Sequence, residues 1–180
     1  MIDESKFIER LKTTSTKEAA FRELLKLYKE RLYWHIRHIV KSHDDADDVL
    51  QNTFIKVYRS IDKFKGESKL YSWLYRIATN ESITHLNKNA KRLQLSSEEH
   101  QNVMINNLEA DVYFEGSEIQ LKLQKAINTL PNKQQQVFNM KYFEDLPYKE
   151  ISNILETSEG ALKASYHLAV KKIQNYLTTN

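Results

Sequence analysis

Near the C-terminus Lys163, His167 and Lys171 recur at every fourth residue, with Gly160 and Ala164 on the same side. On a helix that spacing gathers cations and an imidazole onto one face, where they could reach phosphates and base edges in a DNA groove. Earlier in the chain Lys63, Lys65, Lys69 and Arg76 interleave with Phe64, Tyr71, Trp73 and Tyr75. Aromatic faces beside cations suit single-stranded nucleic acid, because an unstacked base lies on a ring while a cation neutralises the backbone. Trp73 is at least as well explained by packing inward with Leu74 and Ile77, so Tyr71, Lys65 and Lys69 are the better contact candidates. A third group, Asp48, Gln51, Asn52 and Ile55, is neither basic nor aromatic. An isoleucine on such a polar face is either an ordinary exposed apolar residue or the centre of a protein-docking patch.

Each group needs an element to position it. Pro147 begins a short helix in which Ile151, Ile154 and Leu155 share a face, and Glu156-Thr157 forms the turn. Thr157 or Ser158 caps the next helix, whose inward residues Leu162, Tyr166, Ala169 and Ile173 recur at threes and fours, ending at Tyr176 or Leu177. That is a helix-turn-helix pattern. Upstream, Ser15-Thr-Lys-Glu18 reads as a capping box opening a long amphipathic helix through Val40. The acid run Asp44 to Asp48 suits the positive end of the following helix, whose core stripe is Ala46, Leu50, Phe54, Val57 and Ile61. Asp48, Gln51, Asn52 and Ile55 fall on its outer face. Gly66 breaks the helix and Ser68 is placed to cap the next, which runs through Asn80 to the basic, amide-rich end Asn87-Lys-Asn-Ala-Lys-Arg92. Such an end suits duplex phosphates and base edges.

Composition limits the class. With three Gly and two Pro in 180 residues, long helices are expected and strands are not. The lack of cysteine excludes disulfides and thiolate metal sites and suits a reducing cytoplasm. The acidic, polar start lacks the order of a secretory signal, and no apolar run is long enough to span a bilayer. The net charge of +3 is unevenly spread: residues 1–92 carry +6, residues 93–121 have six acids and no Lys or Arg, and the remainder carries +3. Two basic helical domains, 1–92 and 118–180, joined by a flexible acidic linker at 93–117, are the expected organisation. Phosphate would repel that linker, which could instead imitate a nucleic-acid strand.

The order of these parts resembles the sigma-70 family of bacterial RNA polymerase initiation factors, in its minimal two-domain extracytoplasmic function (ECF) branch. The resemblance covers roughly residues 20–92 and 118–177. Asp47-Asp-Val-Leu-Gln-Asn-Thr-Phe-Ile-Lys-Val-Tyr58 is similar to the polymerase-binding helix of region 2. Phe64-Lys-Gly-Glu-Ser68 with Ser72-Trp-Leu-Tyr-Arg-Ile-Ala-Thr-Asn80 is similar to the strand-opening, −10-reading segment. Leu130-Pro-Asn-Lys-Gln-Gln-Gln-Val-Phe138, followed by the helix-turn-helix, is similar to region 4.

The resemblance implies an all-α fold of two small helical domains and a cytoplasmic transcription factor. Asp48, Gln51, Asn52 and Ile55 would dock on the clamp of the polymerase's largest subunit. Lys63, Lys65, Lys69, Tyr71, Arg76, Asn80, Asn87, Lys88, Lys91 and Arg92 would capture and melt the −10 element. Ser158, Lys163, Ser165, His167, Lys171 and Lys172 would read the −35 element while the same domain touches the flap of the second-largest subunit. The acidic linker would thread toward the RNA exit path. Promoter DNA, core polymerase and an anti-sigma factor are the implied partners, with no membrane insertion.

Two departures stand out. The turn position where relatives commonly carry glycine is Glu156, and a left-handed non-glycine residue costs on the order of 1 kcal/mol. No arginine follows Arg92, and Ser165, Leu168 and Val170 stand where relatives often carry it, which removes bidentate guanine readout there. Greater reliance on backbone contacts and DNA shape is expected.

Enzyme readings lack support. No Gly-rich phosphate loop, nucleophile elbow or paired-histidine metal motif is present, and no catalytic residue, metal or cofactor is expected. His35 and His38 lie three apart on one helix with no third ligand evident, so solvated or capping roles are expected. The rival reading is a stand-alone dimeric helix-turn-helix regulator that binds duplex DNA unaided. A helical module that binds only protein is a third. The lysine and aromatic segment from Phe64 to Arg76 favours the sigma reading, because a dimerisation domain has no need of a strand-capturing loop.

Overall fold

The fold is that of a computed structural model, which describes residues 3–94, 99, 102–103, 106 and 118–179. Most of the acidic strip expected as a linker lies outside the described residues. The N-terminal helices are α1 (Glu4–Lys12), α2 (Lys17–Val40), α3 (His43–Ser60) and α4 (Leu70–Arg92), with a 3-10 turn at Ile61–Lys63. The C-terminal helices are α5 (Glu118–Asn128), α6 (Asn132–Tyr142), α7 (Tyr148–Leu155) and α8 (Glu159–Thr179). No strand occurs among the described residues. The chain is all-α, built as two helical bundles.

Local chemistry sets the helix ends, in part differently from the sequence expectation. The capping box at Ser15 does not form: α2 starts after Thr16, whose hydroxyl donates to the Arg10 carbonyl and so ties α2 to α1. Helix α1 was not foreseen, since only Phe7 and Leu11 are buried in its nine residues; Asp3 caps it by accepting from the Ser5 and Lys6 amides. Ser68 does not cap α4. Its first amide, Leu70 N–H, donates instead to Glu4 Oε1 at 2.9 Å, and Lys12 Nζ donates to the Phe64 carbonyl. Helix α1 therefore braces both ends of the loop that leads into α4. Pro131 and Pro147 directly precede α6 and α7, where a missing N–H costs nothing and their carbonyls accept from the first turn.

The stripe read along α3 is buried as expected, Ala46, Leu50, Phe54, Val57 and Ile61 all facing in. It packs on Leu24, Leu32 and Ile36 of α2 and on Leu70, Leu74 and Ala78 of α4. Each of the larger side chains among these contributes about 1.5–3 kcal/mol when fully buried. This apolar cluster continues into Val137, Met140, Ile151, Ile154 and Leu162 of the C-terminal bundle. A second cluster, Ala126, Ile127, Leu130, Phe138, Ala169 and Ile173, belongs to the C-terminal helices alone. The two bundles are thus docked, with α4 against α7 and α2 against α6.

The docking seam is unlike either core. Besides its apolar centre it carries His35, Lys41, Ser72, Thr79, Asn139 and Glu150, all buried. Among the described residues His38 Nδ1, Arg76 Nε and Asn139 Oδ1 are buried there without a protein partner. Each group of that kind costs roughly 1–3 kcal/mol. The seam is held by polar pairs and only partly satisfied, the character of an interface between domains rather than of a domain interior.

Candidate nucleic-acid interface

Helix α3 carries the proposed docking face. Ser42 fixes its start by accepting the Asp45 N–H, and the acids of the first turn complement the helix dipole. Asp48, Gln51, Asn52 and Ile55 are all exposed, with Ile55 43% accessible. Of these, Asp48 and Gln51 line an open groove of about 420 Å³ between α2 and α3, together with Leu25, Lys29, Asp47, Leu50 and Phe54. Sequence reasoning missed Leu25 and Lys29 as members of this surface. Leu25 lies on the apolar side of α2, and its half-burial is visible only once α3 is in place.

The lysine and aromatic segment is split by the fold. Gly66, at φ +76°, supplies the left-handed backbone that turns the loop. Lys63, Lys65 and Lys69 are exposed, whereas Phe64 and Tyr75 are buried and Trp73 packs against Phe64 with ring centroids 5.2 Å apart. Phe64 and Tyr75 are therefore core residues and not stacking platforms, while Trp73 is half-buried with its ring against Phe64. Tyr71 remains half-exposed, with Lys69 Nζ over its ring at 5.7 Å. Asn80, Asn87, Lys88, Lys91 and Arg92 lie exposed along the rest of α4.

Two cations of this segment are engaged by the C-terminal bundle. Lys69 Nζ lies 3.0 Å from Glu150 Oε1, and Ser72 Oγ donates to Glu150 Oε2 at 2.7 Å. Glu150 is 5% exposed. Burial pushes its carboxyl up, but the hydrogen bonds from Ser72 and Lys69 outweigh that and hold it below the usual range. The hydrogen bond to Glu150 in turn raises the Lys69 ammonium. Arg76 donates through Nη1 to Glu156 Oε1 at 2.9 Å and through Nη2 to the Asn153 carbonyl.

The histidines correct the sequence expectation of solvated or capping roles. His35 is 2% exposed, with Nδ1 2.8 Å from Glu144 Oε1 and Nε2 2.8 Å from Thr79 Oγ1. Thr79 donates its own proton to the Tyr75 carbonyl, so its oxygen accepts from His35 Nε2. Burial first, then the Glu144 charge, raises the nearby Tyr75 hydroxyl. His38 stacks on Phe143 at 4.5 Å. Burial, then the charges of Lys41, His35 and Arg37, lower its imidazole to about 3. Lys41, in a left-handed conformation at φ 61°, donates to Gln124 Oε1 at 3.0 Å, and burial with Arg37 lowers its ammonium to about 7.

The helix-turn-helix is laid out as its spacing implied. Helix α7 ends at Glu156, which takes the left-handed conformation at φ 52°, ψ 43°. Ser158 Oγ accepts the Ala161 N–H at 3.4 Å, and Leu162, Ala169 and Ile173 turn inward. Tyr166 stacks on Phe138 at 5.8 Å. Ser158, Lys163, His167, Lys171 and Lys172 are exposed and Ser165 is half-buried. Leu168, 48% exposed, joins this side and was not among the expected contact residues. Lys163 Nζ rests over the Tyr148 ring at 5.6 Å.

The comparisons with known proteins agree with these elements. The family model described as Sigma-70 region 2 matches residues 24–92, and that described as Sigma-70, region 4 matches residues 120–173. The ECF RNA polymerase sigma factor SigW of Bacillus subtilis is 31% identical over 166 residues, covering 88% of this chain and 89% of its own. The ECF RNA polymerase sigma-E factor of Haemophilus influenzae is 30% identical over 176 residues, covering 93% and 92%. In fold, the chain is similar to CnrH in complex with the cytosolic domain of CnrY, with TM-score 0.71 at 17% identity over 98% of both chains. It is also similar to the sigma factor RpoE in complex with the anti-sigma factor NepR from Bartonella quintana, with TM-score 0.67 at 21% identity over 89% of this chain and 98% of that one. The matched regions, in this order and over nearly the whole length of both relatives, place the chain in the sigma-70 family of RNA polymerase sigma factors, ECF branch.

Proposed function

We propose that this sigma factor seats on core RNA polymerase through the α3 face of Asp48, Gln51, Asn52 and Ile55, with Leu25 and Lys29 of α2 extending the docking groove. The polymerase site is the clamp of its largest subunit, and the C-terminal bundle meets the flap of the second-largest subunit. A sigma factor is not an enzyme: it supplies promoter binding and melting, and the polymerase does the chemistry. Lys63, Lys65, Lys69, Tyr71 and Arg76 capture the −10 strand, while Asn80, Asn87, Lys88, Lys91 and Arg92 hold the adjoining duplex by phosphate and base-edge contacts. Ser158, Lys163, Ser165, His167, Lys171 and Lys172 read the −35 element from the major groove.

The observation that carries this reading is the exposure of all four residues on one face of α3, beside a groove and away from the seam. A self-sufficient duplex-binding dimer would have no use for such a face once its cationic surfaces were in place. Partnership with an anti-sigma factor is supported by the fold shared with RpoE bound to NepR. A cytoplasmic location fits a polymerase subunit, and no helix among the described residues is long and apolar enough to cross a membrane. The test is run-off transcription with core polymerase and genomic fragments. Transcripts that start at defined promoters only when this chain is added are expected; tight sequence-specific duplex binding by the chain alone, with no response to core enzyme, would support the dimeric regulator instead.

A further inference from the structure

Of the three positions on α8 where relatives often carry arginine, Ser165 and Val170 are half-buried and only Leu168 stands exposed. A single exposed leucine needs no explanation by itself. Its place on the helix gives it one. With Leu162, Ala169 and Ile173 turned inward, the helical period puts Gly160, Ala164 and Lys171 at the centre of the outer face. Lys163 and His167 lie on one flank of that centre and Ala161 and Leu168 on the other, and all of these residues are exposed. The early turns of the outer face are therefore divided lengthwise into a cationic half and an apolar half.

No side chain of the apolar half can donate or accept a hydrogen bond. The centre beside it is bare as well. A methyl group built on Gly160 would meet no described atom within 4 Å, so the chain's own packing does not call for glycine there. With Gly160, Ala161 and Ala164 so small, the start of the helix can come close to the floor of a major groove, where recognition helices place their first turns. On that floor the C5-methyl of thymine is the apolar group, and side chains without polar atoms read it by contact. Lys171 and Lys172, in the next turn, supply charge that holds the helix on the phosphates.

We infer that Leu168 is a specificity-determining residue of the −35 contact: with Ala161 and Ala164 it packs on a thymine methyl, so the chain selects a T·A pair where an arginine would select guanine. The inference rests on the assignment of the outer face of α8 to the −35 element. Cytosine in place of that thymine removes the methyl and sets an amine donor against a leucine that cannot accept from it. Lys163 and His167, on the opposite flank, contact neighbouring positions and do not share this preference.

The test uses holoenzyme formed from core polymerase and the full chain, on a promoter library randomised across the −35 region and read by sequencing the transcripts. The expected result is an enriched thymine at one position, which Leu168→Ala flattens while the preferences at other positions persist. The selected duplex is then made with deoxyuridine in place of that thymine, which removes the methyl and nothing else. Wild-type holoenzyme should bind it about three- to fivefold more weakly, the worth of one buried methyl group, and Leu168→Ala holoenzyme should bind both duplexes equally. Circular dichroism checks that the variant keeps its helix content.

Preferences unchanged by Leu168→Ala, a loss spread evenly over all positions, or a deoxyuridine penalty equal in both proteins overturns the inference. Lys163→Ala with His167→Ala tells which reading has failed. If that pair alters the −35 preferences when Leu168→Ala does not, α8 reads the element and Leu168 has no part in selecting it. If neither variant alters them, the assignment of α8 falls and the inference falls with it.

Discussion

Helices α4 and α8 each carry a face assigned above to nucleic acid, but the fold treats the cations at the start of α4 and those of α8 oppositely. On α8 the cations Lys163, Lys171 and Lys172 stand in solvent, with Lys163 over the ring of Tyr148. On α4 the cation Arg76, with Lys69 just before the helix, is paired with carboxylates from the other bundle. A duplex reader can be left open because nonspecific contact with duplex DNA is weak and salt-screened. On the assignment of α4 to strand capture, an open face there would compete for any single strand, whereas Lys69 and Arg76 already have carboxylate partners.

The most severe way to test this contrast is Lys65→Ala with Tyr71→Ala. Loss of one stacking platform and one cation should lower open-complex formation by roughly a hundredfold while closed-complex binding holds, measured by permanganate reactivity at the −10 region. Equal reactivity in both proteins would remove the α4 side of the contrast. Next in size, Asp48→Lys with Gln51→Ala should weaken core-enzyme binding by roughly tenfold with helix content intact, as seen in a pull-down. Neither DNA face is altered by that change, so a loss of free-chain DNA binding would show that the three surfaces are not independent. Lys163→Ala with His167→Ala should cost a few-fold in transcription from promoters that depend on the −35 element, with no change in bundle separation. Promoter mutants that respond identically in both proteins would remove the α8 assignment.

The smallest effect is the pH dependence of closure, the docking of the two bundles on one another. His38 is lowered from 6.5 to about 3 in the closed chain, so below pH 6.5 the open form takes up a proton that the closed form refuses. Closure should therefore weaken steadily as pH falls from 6.5 toward 3. Lys41, lowered from 10.5 to about 7, acts in the same sense: closure should strengthen as pH rises from 7 toward 10.5. Inter-bundle distances measured across these windows check both, and a distance independent of pH would place the two groups outside the seam's energetics.

Much of this was legible in the chain before folding. The inner stripe of α3, the outward set from Asp48 to Ile55, and the turn at Glu156-Thr157 follow from helical period and local sequence, which act over a few residues, while the left-handed backbone of Glu156 is an expectation of the family resemblance. What stayed hidden acts over long range. The Leu70 amide takes its cap from Glu4, 66 residues away, where a local cap at Ser68 was expected. His35 meets Glu144 across 109 residues and Arg76 meets Glu156 across 80, and pairs of polar side chains leave no periodic trace by which to find them. Phe64 and Tyr75 interleave with the cations in composition, whereas the helical period through Leu70, Leu74 and Ala78 marks which side of α4 is buried, and the inward packing weighed for Trp73 matches its half-burial against Phe64.

Because Glu4 and Lys12 grip the loop on either side of Gly66, the first helix acts as a splint for the segment that would part the DNA strands. Affinity handles, fusions or trimming near Asp3 would alter how readily a bubble opens without touching a single residue that meets DNA. A protein prepared that way could bind core enzyme and duplex normally and still initiate slowly.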